Sequence, residues 1–310
     1  MPLPLLIVVP ALAALAGYGV KKGVDAKDLI EEANAIGDAA KRRHDQELRR
    51  LKSKVKETNE YLQELGRLKV EVFSSQIKHL VETLRRLKAT KSELSGFDLS
   101  FSASELKQIE SSVAHSLEIS AGLGTGLTSG ALTAFGAYGT VGLLASASTG
   151  TAIASLSGVA ASNATLAFLG GGTLAAGGGG IAAGAAVLGG AVAAPAIAIA
   201  GFVMASKAER SLTEARRYEA NIDKAIGEMS LAISAMRGID ANIAEVAGVI
   251  IHLAARYDEV KTDNLRRKAA VAQMLRIGKA LKQCLDVNLI AADGLPIKSV
   301  PTKVKGFLEL

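Results

Sequence analysis

Four histidines (His44, His79, His115 and His252) and one cysteine, Cys284, are the side chains best equipped for nucleophilic, acid–base or metal chemistry. None of the histidines has another His or Cys at the spacing a metal site needs. No local sequence suggests a Ser-His-Asp or Cys-His arrangement. The adjacent pair Glu31-Glu32 sits on a solvated helix pattern and does not converge on a pocket. Cys284 keeps helical spacing with Leu281 and Leu285, which reads as a buried thiol. A single cysteine excludes an internal disulfide framework and is compatible with a reducing cytosol. The phosphate-binding pattern G-x-x-x-x-G-K-[ST] is absent. Gly122-x-Gly124-x-Gly126 follows a helical pattern, with no strand before it. The expectation is therefore no enzyme, no cofactor, no metal and no small-molecule substrate.

The spacing that does carry a physical signal belongs to small residues. Gly122, Gly126 and Gly130 recur every four positions and are followed by Ala134. On a helix they line one face. Gly180 and Gly184 repeat the spacing, as do Ala185, Gly189 and Ala193. Glycine at that interval lets two backbones approach closely, which is how helices associate in lipid, where burial of apolar surface offers no incentive. Gly122, Gly126, Gly130, Ala134, Gly180 and Gly184 are thus expected to pack membrane helices. At the other end, Lys21 and Lys22 close the apolar run 3–20. No basic residue precedes that run, which disfavours a cleaved signal and favours an uncleaved anchor. The lysines then set topology, with the charged segments cytoplasmic.

The element carrying the glycines is unusual in composition. Of 32 glycines, 20 fall within residues 119–206, a stretch of 88 residues without Asp, Glu, Lys, Arg or His. Such a run is neither disordered, since disordered chains are polar and charged, nor collagen, since no three-residue period exists. Its length without charge reads as membrane-spanning. Two spans are expected, about 131–148 and 181–205, with a third helical piece at 152–169 and bends at the glycine clusters 170–172 and 177–180. Ala and Gly contribute little to insertion, so it should be marginal. A tightly packed soluble core is the competing reading.

Two charged arms flank the block. Residues 26–93 lack proline and are rich in Lys, Arg, Glu and Leu, the composition of one long helix interrupted near Gly66. Leu48, Leu51, Val55, Thr58, Leu62 and Leu65 step by three and four, and Phe73, Ile77, Leu80, Leu84 and Leu87 resume after a slip in the frame. Ser102 and Glu105 form a capping box that starts a further helix through Leu106, Ile109 and Val113. After Lys207 a second seam runs from Ile222 through Asp240 to Tyr257, where Asp240 is placed to set register. A last helix, about 264–285, precedes a proline-containing tail. If the block folds back as a hairpin, the arms meet antiparallel. The domain reading is an anchor at 1–20, a first arm at 21–118, a membrane-inserting block at 119–206, and a second arm with the tail at 207–310.

Net charge is +6, but both arms are mixed in sign and aromatics make up only 4%, with no Trp. Nucleic-acid binding, which needs a basic face and stacking rings, is not expected.

The run AFGAYGTVGLLASASTGTAIASLSGVAASNATLAFLGGGTLAAGGGG, residues 134–180, resembles a bacterial family of Gly/Ala-rich, glycine-zipper, membrane-associated helical proteins that often carry the automatic label "chemotaxis protein". The resemblance extends from VKKGVDA to the tail. It implies a membrane-associated helical protein and assigns it no reaction. The hairpin-tip signature of chemoreceptors is missing. The layout is also similar to α-helical pore-forming toxins, a likeness of architecture alone. The expectation is an all-α protein of the bacterial inner membrane: long antiparallel coiled-coil-like arms around a Gly/Ala hairpin, with an N-terminal apolar segment. Its partners are the lipid bilayer and further copies of itself, and it perturbs or permeabilises the membrane. A membrane-anchored scaffold or signalling protein without a pore, and a soluble bundle with a Gly/Ala core, are the alternatives.

Overall fold

The computed structural model describes residues 20–89, 102–122, 129–144, 208–291 and 295–309. Among them the fold is all-α, with no strand beyond an isolated bridge between Ile290 and Pro296. Helix α1 is Val20–Val72, and a π-helical turn, Phe73–Ile77, joins it without a break to α2, Lys78–Ala89. Then come α3, Ala103–Gly122; α4, Ser129–Leu144; α5, Ala208–Val260; α6, Lys268–Leu285; and α7, Val300–Lys305, closed by a short 3-10 turn. The apolar anchor and most of the Gly/Ala block lie outside the described residues.

The frame slip in the first seam has a structural counterpart. Buried positions run Leu62, Leu65, Lys69, Phe73, Ile77, Leu80, so three steps of four follow one another. A heptad alternates three and four, and the surplus residue has to go somewhere. The π turn holds it, since a wider turn takes one more residue without rotating the stripe off the core. Ser75 Oγ donates to the Glu71 carbonyl within it, at 2.7 Å. The expected interruption near Gly66 does not occur; α1 runs straight through.

The chain divides into two compact units, Met1–Arg49 with Ala193–Glu228 and Arg50–Val192 with Met229–Leu310. In the first, α1 and α5 meet through Ala33, Ala40, His44, Ala215, Ile222 and Ala225, all buried. Arg43 reaches Glu219 at 2.8 Å and Asp223 at 3.2 Å, and Arg216 reaches Glu32 at 3.7 Å.

The second unit is a four-layer helical bundle. Thr58 pairs with Asp240, Gln76 with Asp258, and His79 with Tyr257. From Thr58 to Gln76 the partner advances by the same 18 residues, from Asp240 to Asp258, so α5 runs parallel to α1–α2. This corrects the antiparallel arms expected from the sequence, and the ion pairs of the first unit rise in the same way. The reason is a layer that the hairpin argument did not count. Arg85 bonds Glu110, Gly66 abuts Leu132, and Leu62 abuts Gly136, so α3 and α4 return antiparallel along the first arm and cover part of its stripe. A third pass then runs in the first direction. Helix α6 returns again, with Gly278 against Leu80 and Tyr257.

Local signals match the elements they were expected to start or fill. The capping box forms reciprocally: Ser102 N–H donates to Glu105 Oε2 at 2.6 Å, and Glu105 N–H to Ser102 Oγ at 3.1 Å. The Ser102 N–H holds the Glu105 carboxyl below its usual range. In α6, Met274, Ile277, Leu281 and Leu285 are buried. The tail is tied down by Asn242 Nδ2, which donates to the carbonyls of Leu289 and Ile297. Among the described residues one helix, α5, is long and apolar enough to cross a membrane by length and composition. Its apolar stripe, from Ile239 through Val246 and Val249 to Leu253, lies in the bundle core.

Candidate functional site

The small residues singled out by the sequence are distributed as follows. Gly122 ends α3, Gly130 lies in the first turn of α4, and Ala134 is buried on α4. Gly126, Gly180 and Gly184 lie outside the described residues. Lys21 and Lys22 fall in the first turn of α1.

Among the described residues, Gly66 and Gly136 bring the backbones of α1 and α4 together. A Cβ on Gly66 would stand 2.1 Å from the Leu132 carbonyl oxygen, and one on Gly136 2.1 Å from that of Leu62. Each helix offers a Leu carbonyl to a glycine four residues along its neighbour. The contact excludes any side chain, so the helices touch through backbone atoms. Phe73 and Phe135 seal it, with ring centroids 5.6 Å apart.

One turn further on, α4 breaks. Gly139 takes φ 54°, ψ −140° within the helix. An L side chain would be strained there, and would also meet the Leu285 carbonyl at 2.5 Å. A left-handed residue interrupts the i→i+4 ladder, so the carbonyls just before it need other donors. Two are supplied by one side chain. Lys69 Nζ donates to Phe135 O at 3.2 Å and Gly136 O at 3.0 Å. The Leu289 N–H donates to Ala137 O at 2.8 Å.

Lys69 is fully buried and stands 5.8 Å from the centre of the Phe135 ring. A buried ammonium is costly unless it is hydrogen-bonded. Burial pulls Lys69 from 10.5 down to about 8, against the opposing pull of Cys284 and Asp286 on α6. The Cys284 thiol is pushed up to about 12 by its own burial. Neither group has the accessibility a nucleophile requires. What this junction does is hold α4.

The residue that sequence reasoning missed is Lys69. The signal was present: the gap of eight between Leu65 and Phe73 is two steps of four, and Lys69 stands at its midpoint. A charge at a seam position was passed over because charges are ordinarily solvated.

Two further polar clusters join α5 to the first arm. Asp240 accepts from Thr58 Oγ1 at 2.8 Å and from Lys54 Nζ at 2.5 Å. Burial pulls the Lys54 ammonium down, but the Asp240 and Glu57 carboxylates outweigh it, and the group ends above its ordinary value. The polar seam residue thus meets a polar seam partner, and together they fix the parallel register. An open cleft of about 450 Å³, lined by Tyr61, Leu65, Leu68, Ile243 and Ala247, adjoins it. Near the far end of α2, His79 Nδ1 lies 2.8 Å from the Tyr257 hydroxyl, while Asp263 approaches Nε2 at 3.5 Å and binds Arg86 at 2.7 Å. Burial, reinforced by Lys261, holds His79 below its usual value. No family model, curated protein or solved structure matches the chain.

Proposed function

We propose that this is a membrane-active helical protein of the bacterial inner membrane, whose charged helices carry an uncharged Gly/Ala segment into a bilayer and there perturb or permeabilise it. The observation that carries the reading is the division of charge. Among the described residues, α4 is the one α-helix without a charged side chain. It opens directly onto residues 145–206, which carry none either. That length without charge is enough for two crossings. Its partners on this reading are lipid and further copies of the chain, associating through the small-residue face. No reaction is assigned to it.

A second reading, a membrane-anchored helical scaffold without pore activity, draws on α5. The Asp240–Thr58–Lys54 cluster and the His79–Tyr257 pair lock it to the first arm at two levels, which suits a stiff spacer. One experiment separates the two. Purified protein is added to dye-loaded vesicles of phosphatidylcholine and phosphatidylglycerol, and flotation is scored beside leakage. Flotation with leakage supports permeabilisation, flotation alone supports the scaffold, and absence of flotation refutes both.

A further inference from the structure

We propose that the exposed face of α5 between Arg237 and Glu259 is a dimer interface, on which a second copy of the chain lays its own α5 antiparallel, with the two-fold axis at Gly248. Such a dimer forms whether or not the chain enters a membrane. The core side of α5 is apolar, as a packed helix requires, but the side away from the core is not charged in return. From Ala241 to Ala255 the exposed positions are Ala241, Ala244, Gly248, Ile251, His252 and Ala255, and none is Asp, Glu, Lys or Arg. A solvated helix ordinarily carries charge on that side. Ile251 is a large apolar side chain left 57% exposed, and a Cβ on Gly248 would meet nothing within 4 Å.

Charge selects the occupant. Arg237 stands 11 residues before Gly248 and Glu259 stands 11 after it, and both are exposed. Eleven residues make about three turns, so both lie on the face that Gly248 presents, roughly 16 Å to either side. Among the described residues neither has an ion-pair partner. A face that is basic at one end, acidic at the other and uncharged between is complementary to itself under a two-fold rotation, as an isologous interface must be. Antiparallel packing sets Arg237 of each copy against Glu259 of the other. Parallel packing would set like charges together, so the charges also choose the direction. The same rotation pairs residues equidistant from Gly248 on opposite sides. Ile251, three residues after it, then stands at the level three residues before it on the other copy, between Ala244 and Ala247. These two residues form the α5 wall of the open cleft, and Tyr61, Leu65 and Leu68 form its α1 wall. Ile251 and Ala244 lie on the same flank of Gly248 at 100° per residue, and the two-fold keeps them on it. Each copy therefore offers an exposed apolar side chain to the cleft of the other.

One helix pair with two clefts is at the small end of specific interfaces, so the Kd should be on the order of 10 μM. Equilibrium sedimentation of the full-length protein in mild detergent, across that concentration, should show monomer and dimer in exchange, and a monomer throughout overturns the proposal. Oxidation of single-cysteine variants in a Cys284→Ala background tests the geometry. Gly248→Cys should form a disulfide with its own copy. Ala241→Cys and Ala255→Cys should crosslink with each other in a mixture but not each with itself, since like positions are about 21 Å apart along the axis. Self-crosslinking of Ala241→Cys would show parallel chains, and association without a crosslink at Gly248→Cys would place the interface elsewhere; either result overturns the proposal. A Gly248→Cys thiol that fails to crosslink but is shielded from maleimide by phosphatidylcholine/phosphatidylglycerol vesicles would assign the face to lipid instead. Arg237→Glu should raise the Kd about tenfold, because both symmetry-related pairs become like-charged. Adding Glu259→Arg should restore the native value, and a double variant as weak as the single one refutes the charge pairing. The sedimentation and charge-swap measurements keep Cys284 and decide the matter if the cysteine background does not fold.

Discussion

Raising the pH should stabilise this protein through Lys69. In the fold the ammonium is held near 8, while in the unfolded chain it returns to 10.5. Between those values the unfolded chain binds more protons than the folded one, so unfolding becomes harder as pH rises. The stabilisation is complete above the unfolded value and is lost as pH falls through the folded one. The interval corresponds to about 3 kcal/mol. The neutral amine keeps two N–H groups, so it can still serve the Phe135 and Gly136 carbonyls when the charge has gone. Urea unfolding followed by circular dichroism, at about pH 7 and about pH 11, measures the effect. Tyrosines and other lysines titrate over the same range, so the quantity to compare is the native protein minus Lys69→Met, in which their contributions cancel. That difference should move toward the native protein by about 3 kcal/mol on going to alkaline pH. A difference that stays constant, or moves the other way, would show that Lys69 is hydrated in the folded state and that the α4 junction is not as drawn.

Gly66→Ala should cost roughly 3 kcal/mol, since its Cβ would lie inside van der Waals contact with the Leu132 carbonyl. Gly248→Ala on α5 has nothing within 4 Å and should gain about 0.5–1 kcal/mol by helix propensity; urea midpoints of the pair give the contrast. Asp240→Ala should cost about 1–3 kcal/mol, because Thr58 loses its acceptor and Lys54 is left with Glu57 alone in a partly buried setting, and thermal unfolding would detect it. His79 is held below its ordinary 6.5, so native stability should fall as pH drops through that region. His79→Gln should flatten that dependence in the same urea titration.

The all-α class, the capping box at Ser102 and the burial of both seams are legible in the residues, because apolar period and cap chemistry are local properties. Direction is not local. A stripe of Ile and Leu on α5 covers its partner equally well from either end, so periodicity alone could not choose parallel over antiparallel. Contacts between residues far apart in sequence, Thr58 with Asp240 and Gln76 with Asp258, decide it. The close approach of α1 and α4, Gly66 against Leu132 and Gly136 against Leu62, falls at residues whose separation in sequence hides the pairing. The break at Gly139 was equally hidden, since a glycine in a glycine-rich run gives no sign that its φ is positive.

The parallel pairing of α1 with α5 also shapes how the chain must be made. Thr58 and Asp240 lie 182 residues apart in sequence. Helix α1 leaves the ribosome long before its partner exists. At roughly 5–20 residues per second, the delay is on the order of 10–40 s. Throughout that interval the stripe through Leu51, Leu62 and Leu65 is wet unless a nearer segment shelters it. Helices α3 and α4 emerge first, and Arg85–Glu110 closes a loop of only 25 residues. Nearby contacts of that kind form far more readily than distant ones. The early hairpin can therefore act as a temporary cover during synthesis, with α5 and α6 arriving last to complete the fold.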